Sequence, residues 1–345
     1  MAITLISLFF SLVNFKNILS SYSLLDKKIL IGIGIVIFVF LMIGYLNGFY
    51  KSHDTPMTNV DKEQEKVVPP ESFLPNEESY LYVPDENGNV QVIAKAGEDW
   101  DSFVEECVKK DLYGIENLSY IPGTVGAAPV QNIGAYGSEA KDTIDSVRAF
   151  DTKKGEFLNI SNLDCHFSYR DSLFKRESGR FIIISITFIL KKEGKVNVGY
   201  KDVRDHFSKK DIIAPTLSQV RNAVIDIRRN KLPDVKLVGT AGSFFKNPLI
   251  SHAEAHELKA TYPDMPLFPI DDKIVKVPLG WIIDQVCKYR GISKGDVGTY
   301  RNQALVLVNN GNATAREVKE FAQNITEIVK EKTGIEIETE VQYVG

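Results

Sequence analysis

A long apolar run near the amino end is the strongest constraint on how this chain can fold. Residues 29–50 read ILIGIGIVIFVFLMIGYLNGFY, which is 22 residues without a charged side chain. A helix of that length rises about 33 Å, enough to cross a hydrocarbon core about 30 Å thick. Lys27, Lys28 and Lys51 flank the run. The pattern predicts a transmembrane helix. The alternative is a buried core helix, which such continuous apolarity argues against.

The segments on either side of this run extend the same organisation. Residues 3–15 form a shorter apolar stretch, which fits a signal-like segment, an interfacial segment or half of a second span. We expect an uncleaved membrane anchor over residues 1–50. Residues 51–80 then hold three lysines against seven acidic side chains, together with four prolines. That composition is typical of a tether, and we predict a linker over residues 51–85.

The composition of the whole chain excludes several classes of protein. Its 345 residues carry 41 Lys+Arg against 45 Asp+Glu, a net charge of −4, so we expect no nucleic-acid partner. The three cysteines are scattered and form no Cys-x-x-Cys pair, which predicts buried thiols and no metal site. Neither a Walker P-loop nor a G-x-G-x-x-G motif occurs, which disfavours P-loop NTPases and ordinary Rossmann dehydrogenases.

Hydrophobic periodicity indicates a soluble protein of mixed secondary structure after the linker. Alternation and β-branched runs predict strands over residues 89–97, 144–151, 180–190, 303–308 and 335–344. The second of these continues through a Lys-Lys-Gly turn into a hairpin partner. Helices are predicted over residues 99–110 and 280–289, and two more begin at the capping boxes of Thr216 and Thr314. Because helices and strands do not alternate strictly, the pattern favours the α+β class.

Four local patterns are candidates for chemistry, although each also has an ordinary structural interpretation. Residues 121–128 (IPGTVGAA) and 131–137 (QNIGAYG) are rich in small residues, which let a backbone approach a ligand closely but are equally typical of tight turns. Arg170 lies among aromatic residues and fits either carboxylate recognition or a structural ion pair. Ser243 follows a glycine pair and by itself fits a turn. Glu340, by itself, fits the solvent face of a strand.

Read in order, the motifs resemble one enzyme family. They are AGEDW (96–100), GIENLSYIPGTVGAAPVQNIGAYG (114–137), CHFSYRDSLFK (165–175), KLPD (231–234), GTAGSFFKNP (239–248), GWIIDQ (280–285), NQALVLVN (302–309) and ETEV (338–341). This series is similar to UDP-N-acetylenolpyruvoylglucosamine reductases of the first structural type, from about residue 90 onward. The resemblance implies a flavin-binding domain of the vanillyl-alcohol-oxidase type over residues 86–213. A smaller α/β substrate-binding domain over residues 214–345 would follow it.

The resemblance also implies an activity and a set of site residues. NADPH would reduce FAD, and the reduced flavin would then reduce UDP-N-acetylglucosamine enolpyruvate to UDP-N-acetylmuramate for peptidoglycan synthesis. Arg170 and Glu340 match the residues that act on the substrate carboxylate, and Ser243 matches the general acid. Substrate contacts are implied for Tyr169, Tyr200, Lys231, Asn247 and Gln285. Flavin contacts are implied for Pro122, Gly123, Thr124, Val125, Gly126, Ala127, Gln131, Asn132, Gly134 and Ala135.

One departure from the family leaves alternatives open. The Gly-rich G-x-G-S-N loop expected for the flavin pyrophosphate is missing, and the apolar run and linker stand in its place. A second chain could supply the missing subdomain, or the reading frame could be a fusion or a truncation. The domain could also have lost flavin, leaving a membrane-anchored UDP-sugar-binding module, or serve as a structural partner of the cell-wall machinery. Because NADPH and UDP-sugars are cytoplasmic, we expect a cytoplasmic catalytic domain tethered to the membrane.

Overall fold

A computed structural model describes residues 79–344. All of these described residues belong to one compact unit. The predicted membrane helix over residues 29–50, and most of the predicted linker, lie outside the described residues. Across residues 79–344, no helix combines the length and apolarity needed to cross a membrane. The linker ends earlier than predicted, because residues 80–84 form a strand.

Fourteen strands occur in residues 79–344. They are β1 (Tyr80–Pro84), β2 (Asn89–Lys95), β3 (Gly134–Ala135), β4 (Ser138–Glu139), β5 (Ile144–Asp151), β6 (Glu156–Ser161), β7 (Phe181–Lys191), β8 (Gly239–Ser243), β9 (Leu249–Ser251), β10 (Phe268–Pro269), β11 (Ile274–Lys276), β12 (Ser293–Lys294), β13 (Val297–Tyr300) and β14 (Gln303–Asn309). Every strand pair among them is antiparallel.

Seven α-helices accompany these strands in the described part of the chain. They are α1 (Trp100–Lys109), α2 (Leu173–Arg176), α3 (Lys201–Ser208), α4 (Leu217–Lys231), α5 (His252–Thr261), α6 (Leu279–Trp281) and α7 (Ala315–Thr333). Helix α6 continues as a π-helical turn, Ile282–Val286, and short 3₁₀ turns occur at Glu116–Leu118, Val125–Ala127 and Ala140–Asp142. The helices predicted over residues 99–110 and 280–289 are therefore confirmed, the second as a shorter element.

The first sheet has the order β1-β2-β7-β5-β6. Strand β2 buries every second residue, so the alternation read from the sequence corresponds to one face turned to the core. Helix α1 packs in the same core through Trp100 and Phe103, whose rings lie near Phe188 of β7. The predicted N-terminus of α1 is also confirmed, because the Asp99 side chain accepts the Ser102 amide hydrogen bond at 2.8 Å.

A second, four-stranded sheet has the order β12-β13-β14-β8. Strand β14 is buried at five consecutive positions, as its continuous apolar run predicts. Helix α7 adds its stripe of Phe321, Ala322, Ile325 and Val329 to this core. Its predicted capping box is present, with Thr314 accepting from Glu317. A smaller sheet, β10-β11-β9, was not predicted, since its strands are only two or three residues long. Helix α5 was not predicted either.

Helices α3 and α4 share a third, small core that includes Val203, Phe207, Val220 and Val224. The predicted capping box at Thr216 starts α4, and Gln219 closes it. The first turn of α4 also reaches the first domain core, because Leu217 is buried there. Helix α4 therefore joins the core of the first sheet to Lys231, which is its last residue.

The last predicted strand, over residues 335–344, is wrong. This segment runs beside the chain that follows β8, but it makes only one isolated bridge, between Phe245 and Thr339. Two backbone hydrogen bonds flank the bridge, from Lys246 to Glu338 at 3.0 Å and from Glu340 to Phe244 at 2.8 Å. The alternation in residues 335–344 is present, but the neighbouring chain pairs with this segment only over Phe244, Phe245 and Lys246, so no regular strand forms.

Candidate active site

Arg170 occupies a tight turn that other side chains hold in place. Its backbone is left-handed, with φ +55°, which is uncommon for a residue with a Cβ. The Lys175 ammonium donates to the Arg170 carbonyl at 3.0 Å. Ser172 caps α2 and donates to the Val130 carbonyl at 2.5 Å, so the turn is also fixed to the small-residue segment before it.

The Arg170 guanidinium makes two polar contacts across the site. Its Nε lies 3.0 Å from Glu340 Oε1, and its Nη2 donates to the Gly134 carbonyl at 2.8 Å. The two charged side chains are only 19% and 15% exposed, so water screens their attraction weakly. Gly134 allows this approach, because a Cβ there would lie 3.0 Å from Arg170 Nη1. Three sequence-predicted residues therefore meet at one point.

A backbone hydrogen bond connects the segment that carries Ser243 to the segment that carries Glu340. Glu340 donates its amide to Phe244, the residue after Ser243, at 2.8 Å. Before Ser243 the strand has an irregular register, and Gly242 takes φ +79° there. Such irregularities re-aim a side chain at the edge of a site. Among the described residues, the half-buried Ser243 hydroxyl has no hydrogen-bond partner, so it is free to donate to a bound molecule.

Several cations surround the ion pair. Lys175 lies close enough to interact with Glu340, and Lys246 pairs with Glu338 at 2.7 Å. Burial, followed by repulsion from Lys246, lowers the pKa of the Lys175 ammonium. Lys276 lies 5.7 Å from the Tyr169 ring centre. This concentration of positive charge favours an anionic ligand.

Tyr169 and Asn247 join the Arg170 turn to the second sheet. The Asn247 backbone and side-chain amides lie 3.4 and 3.3 Å from the Tyr169 hydroxyl, and the Asn247 side-chain Oδ1 accepts from the Leu279 amide at 3.0 Å. These two residues and Lys246 line one side of a cavity of about 750 Å³, whose other walls come from α5 and residues 332–338. The predicted substrate contacts Tyr169 and Asn247 are therefore adjacent.

Tyr200 and Lys231 form a second group with Tyr136 and Asp202. The rings of Tyr136 and Tyr200 meet edge to face, with centres 5.3 Å apart. Lys231 Nζ lies 2.7 Å from Asp202 Oδ2. Burial alone would lower the pKa of Lys231, but the hydrogen bond and charge of Asp202 raise it on balance. Lys231 is therefore a charged residue held at the end of α4.

The small-residue segment around residues 122–127 is anchored along one side and open along the other. Gly126 donates to Ala96 at 2.8 Å, and a Cβ on Gly126 would lie 2.7 Å from the Ala96 Cβ. Pro122, Gly123, Thr124 and Ala127 are exposed. Within residues 79–344, the amides of Gly123 and Thr124 have no partner. These free donors lie on a rigid segment and can bind the acceptors of a planar ring.

Two predicted residues have surroundings that the sequence did not indicate. Asn132 is fully buried and serves the protein itself, donating to Glu139 and to the Ser168 carbonyl at 3.0 Å each. Its side chain thereby ties the second small-residue segment to the Arg170 turn. Gln285 is exposed on the π-helical turn, and no hydrogen bond joins it to the Arg170 or Tyr200 groups in the described structure.

Tyr136 and Lys175 are two site residues that sequence reasoning missed. Both stand inside motifs quoted for the resemblance, Tyr136 within residues 131–137 and Lys175 at the end of residues 165–175. Their roles depend on distant partners, since Lys175 acts on a backbone carbonyl and Tyr136 meets Tyr200 across the fold. The sequence motif marked the region but could not show these pairings.

Comparisons with known proteins identify related sequences. The family model "UDP-N-acetylenolpyruvoylglucosamine reductase, C-terminal domain" matches residues 233–344, and the model "FAD binding domain" matches residues 83–161. The curated UDP-N-acetylenolpyruvoylglucosamine reductase of Neisseria gonorrhoeae is 46% identical over 260 residues, covering 75% of each chain. The chain belongs to this reductase family. The resemblance stated from the motifs is therefore confirmed.

Two further relatives support the family assignment and the fold. The curated reductase of Pseudomonas aeruginosa is 44% identical over 258 residues, which cover 75% of this chain and 76% of the relative. The crystal structure of UDP-N-acetylenolpyruvylglucosamine reductase from Thermus caldophilus matches with a TM-score of 0.50 and 22% identity. That match covers 72% of this chain and 71% of the solved chain, and it supports the fold alone.

Proposed function

We propose that this chain is an FAD-dependent UDP-N-acetylenolpyruvoylglucosamine reductase. It reduces UDP-N-acetylglucosamine enolpyruvate to UDP-N-acetylmuramate in peptidoglycan synthesis, with NADPH as the reductant. Family membership supports this assignment, and the observation that carries it is the half-buried Arg170–Glu340 pair beside the free hydroxyl of Ser243. No observation favours a sugar-nucleotide-binding module without redox activity.

The Arg170 group suits an enolpyruvyl substrate. Arg170 retains unused N–H donors on its guanidinium, and these can bind the substrate carboxylate. As negative charge develops toward that carboxylate, Arg170 and Lys175 stabilise it in a poorly screened environment. Ser243 donates the proton that completes reduction of the double bond. Glu340 holds the Arg170 fork in orientation at the reacting centre.

The residues present fit the ring of a flavin. The free Gly123 and Thr124 amides can donate to its carbonyl and nitrogen acceptors, while Gly126 keeps the segment close to Ala96. When bound, FAD supplies the hydride transfer between NADPH and the substrate. Within this segment Val125 is buried, and Gln131 and Ala135, in the second small-residue segment, are only partly exposed. We therefore assign the ring contacts chiefly to residues 122–127.

Substrate binding extends from the reacting carbon to the nucleotide. Tyr169 and Asn247 orient the sugar end beside Arg170, and Lys231 binds the diphosphate. Tyr200 covers the substrate from its position at the start of α3. We retain Gln285 as a contact made when the substrate is present, because it lies on the π-helical turn that follows α6.

The larger organisation of the chain is also proposed. Residues 86–213 would be the flavin domain, of the vanillyl-alcohol-oxidase type without its usual first subdomain, and residues 214–345 the substrate domain. The separate cores of the two sheets support that division. The apolar run over residues 29–50 supports a membrane tether, and the substrate chemistry supports a cytoplasmic catalytic part. The absence of a Gly-rich pyrophosphate loop from the sequence supports a second chain that completes the flavin site.

Flavin spectroscopy of the full chain tests the function directly. The purified protein is titrated with FAD, reduced anaerobically with NADPH and then mixed with the enolpyruvyl sugar nucleotide. Binding, bleaching and recovery of the flavin spectrum in that order are the expected result. A protein that binds FAD and is bleached by NADPH, but is not reoxidised by this substrate, would contradict the proposed reaction. Failure to bind FAD would show that the chain alone lacks a working flavin site.

A further inference from the structure

One buried amide joins the two segments that carry the Tyr136–Tyr200 pair. Asn117 lies in the 3₁₀ turn Glu116–Leu118 and is fully buried. Its Nδ2 donates to the Tyr136 carbonyl at 2.8 Å and to the Asn197 carbonyl at 2.9 Å. Both hydrogens of the amide are thus used between segments that lie 61 residues apart in sequence.

The same two segments are joined by a second amide. Asn197 Nδ2 donates to the Gly137 carbonyl at 3.0 Å, and its Oδ1 accepts from Gly199 at 3.1 Å. Gly137 has φ +85°, and a Cβ there would lie 3.2 Å from Asn197 Nδ2. The turn after Tyr136 and the segment leading to Tyr200 are therefore held together by two interlocking asparagines.

Asn117 keeps this position although its oxygen has no partner. Within the described structure, its buried Oδ1 accepts no hydrogen bond, and an unpartnered buried acceptor opposes folding. The two donated bonds join the segments that carry Tyr136 and Tyr200, whose ring centres lie 5.3 Å apart. Both tyrosines lie near Lys231. The amide thus lies behind the Tyr136–Tyr200 pair and not on its exposed side.

We propose that Asn117, assisted by Asn197, is a positioning residue for the sugar-nucleotide site. It holds Tyr136 and Tyr200 at the separation that lets them border the substrate beside Lys231. This inference rests on the proposed function, since it assigns the nucleotide to that group. It does not extend to the flavin segment, because Asn117 bonds to neither residues 122–127 nor the Arg170 turn.

The test compares three asparagine variants of the full chain with FAD added. Asn117→Asp keeps the shape but removes both donors and places a carboxyl group against two carbonyls. Asn197→Ala is a milder change at a half-buried position and is expected to fold where the first variant does not. Asn162→Asp is the matched control. Asn162 Nδ2 also donates to two carbonyls, Lys141 at 2.9 Å and Ile144 at 2.7 Å, but its bonds lie beside the first sheet.

Calorimetric titration with UDP is the primary measurement, and FAD affinity is measured in parallel by flavin fluorescence. We expect Asn117→Asp and Asn197→Ala to raise the dissociation constant of UDP roughly tenfold, the scale of one or two net hydrogen bonds. KM for the enolpyruvyl substrate should rise similarly, with kcat and FAD affinity changed less than about twofold. Asn162→Asp should leave all four values unchanged.

Two outcomes overturn the inference in distinguishable ways. If wild-type protein binds UDP but Asn197→Ala and Asn117→Asp bind it equally well, or if Asn162→Asp weakens it as much, Asn117 is only a structural amide. The proposed function survives that result. If the wild-type protein itself does not bind UDP, the assignment of Tyr200 and Lys231 to the nucleotide fails, and this inference fails with it.

Discussion

Replacing Ser243 by alanine should separate chemistry from stability. The Ser243 hydroxyl has no hydrogen-bond partner among the described residues, so its removal should change the free energy of unfolding by less than about 0.5 kcal/mol. A positioned general acid, by contrast, typically contributes a factor of about 10² to 10⁴. That factor corresponds to about 3 to 5 kcal/mol in activation free energy. The variant should therefore be a folded protein with one slow step.

Stopped-flow flavin absorbance resolves which step is slow. Reduction of bound FAD by NADPH should keep its wild-type rate in Ser243→Ala, within about twofold. Reoxidation by the enolpyruvyl substrate should slow by the factor given above. Ser251→Ala is a suitable control, because this serine caps α5 and accepts from Glu254 at 3.2 Å. Ser251→Ala should lower the free energy of unfolding by about 1 kcal/mol and leave the rates of both half-reactions unchanged. Equal slowing of both half-reactions in Ser243→Ala would refute the role of general acid.

Three further substitutions test separate parts of the molecule. Arg170→Lys cannot reproduce the forked contacts of Arg170, so substrate-dependent reoxidation should slow about 10²- to 10³-fold while FAD affinity is retained. Gly126→Ala places a Cβ 2.7 Å from the Ala96 Cβ, so the free energy of unfolding measured by melting should fall by about 1–3 kcal/mol. FAD titration should show weaker binding. Hydrogen bonds from Arg180 hold the pKa of Asp151 at about 2, below its unfolded value near 4. The stabilisation that Asp151 gives the folded state is complete above pH 4 and is lost as pH falls toward 2. The melting temperature of Asp151→Asn should therefore fall less over that range than the melting temperature of the wild-type protein.

The sequence predicted the regular elements well because each carried its own local signal. The capping boxes at Thr216 and Thr314 need only residues three positions apart, and both were found where expected. The alternation in β2 likewise reflects a single buried face. The segment over residues 335–344 shows the limit of this approach. Its alternation is local, but forming a strand requires a partner, and the chain after β8 pairs with it only briefly.

The candidate site was predicted as a set of residues but not as a geometry. Motifs marked Arg170, Ser243 and Glu340, yet the contact between Arg170 and Glu340 joins residues 170 positions apart. Asn132 shows the opposite case. It was predicted as a flavin contact from its motif, whereas its buried amide connects Glu139 and Ser168. Side-chain bonds of this kind depend on tertiary packing, which no local pattern contains.

Five residues within the quoted motifs have left-handed backbones: Tyr120, Asn132, Tyr136, His166 and Arg170. This conformation is uncommon for residues with a Cβ and persists where the surroundings fix it. The carbonyls of four of them accept from side chains, namely Arg228 to Tyr120 at 2.9 Å, Asn117 to Tyr136 at 2.8 Å, Arg176 to His166 at 3.0 Å and Lys175 to Arg170 at 3.0 Å. Each of these four strained turns thus has its own side-chain anchor.

Separate anchors predict separable defects. Lys175→Met removes the donor to the Arg170 carbonyl and a positive charge near Glu340, so substrate-dependent reoxidation of the flavin should slow roughly tenfold or more. The UDP dissociation constant should stay at its wild-type value, because the Tyr136–Tyr200 pair has its own anchor at Asn117. Lys175→Arg keeps a charged donor and should recover part of the rate. Weakened UDP binding in Lys175→Met would show that the two groups form one mechanical unit, contrary to this reasoning.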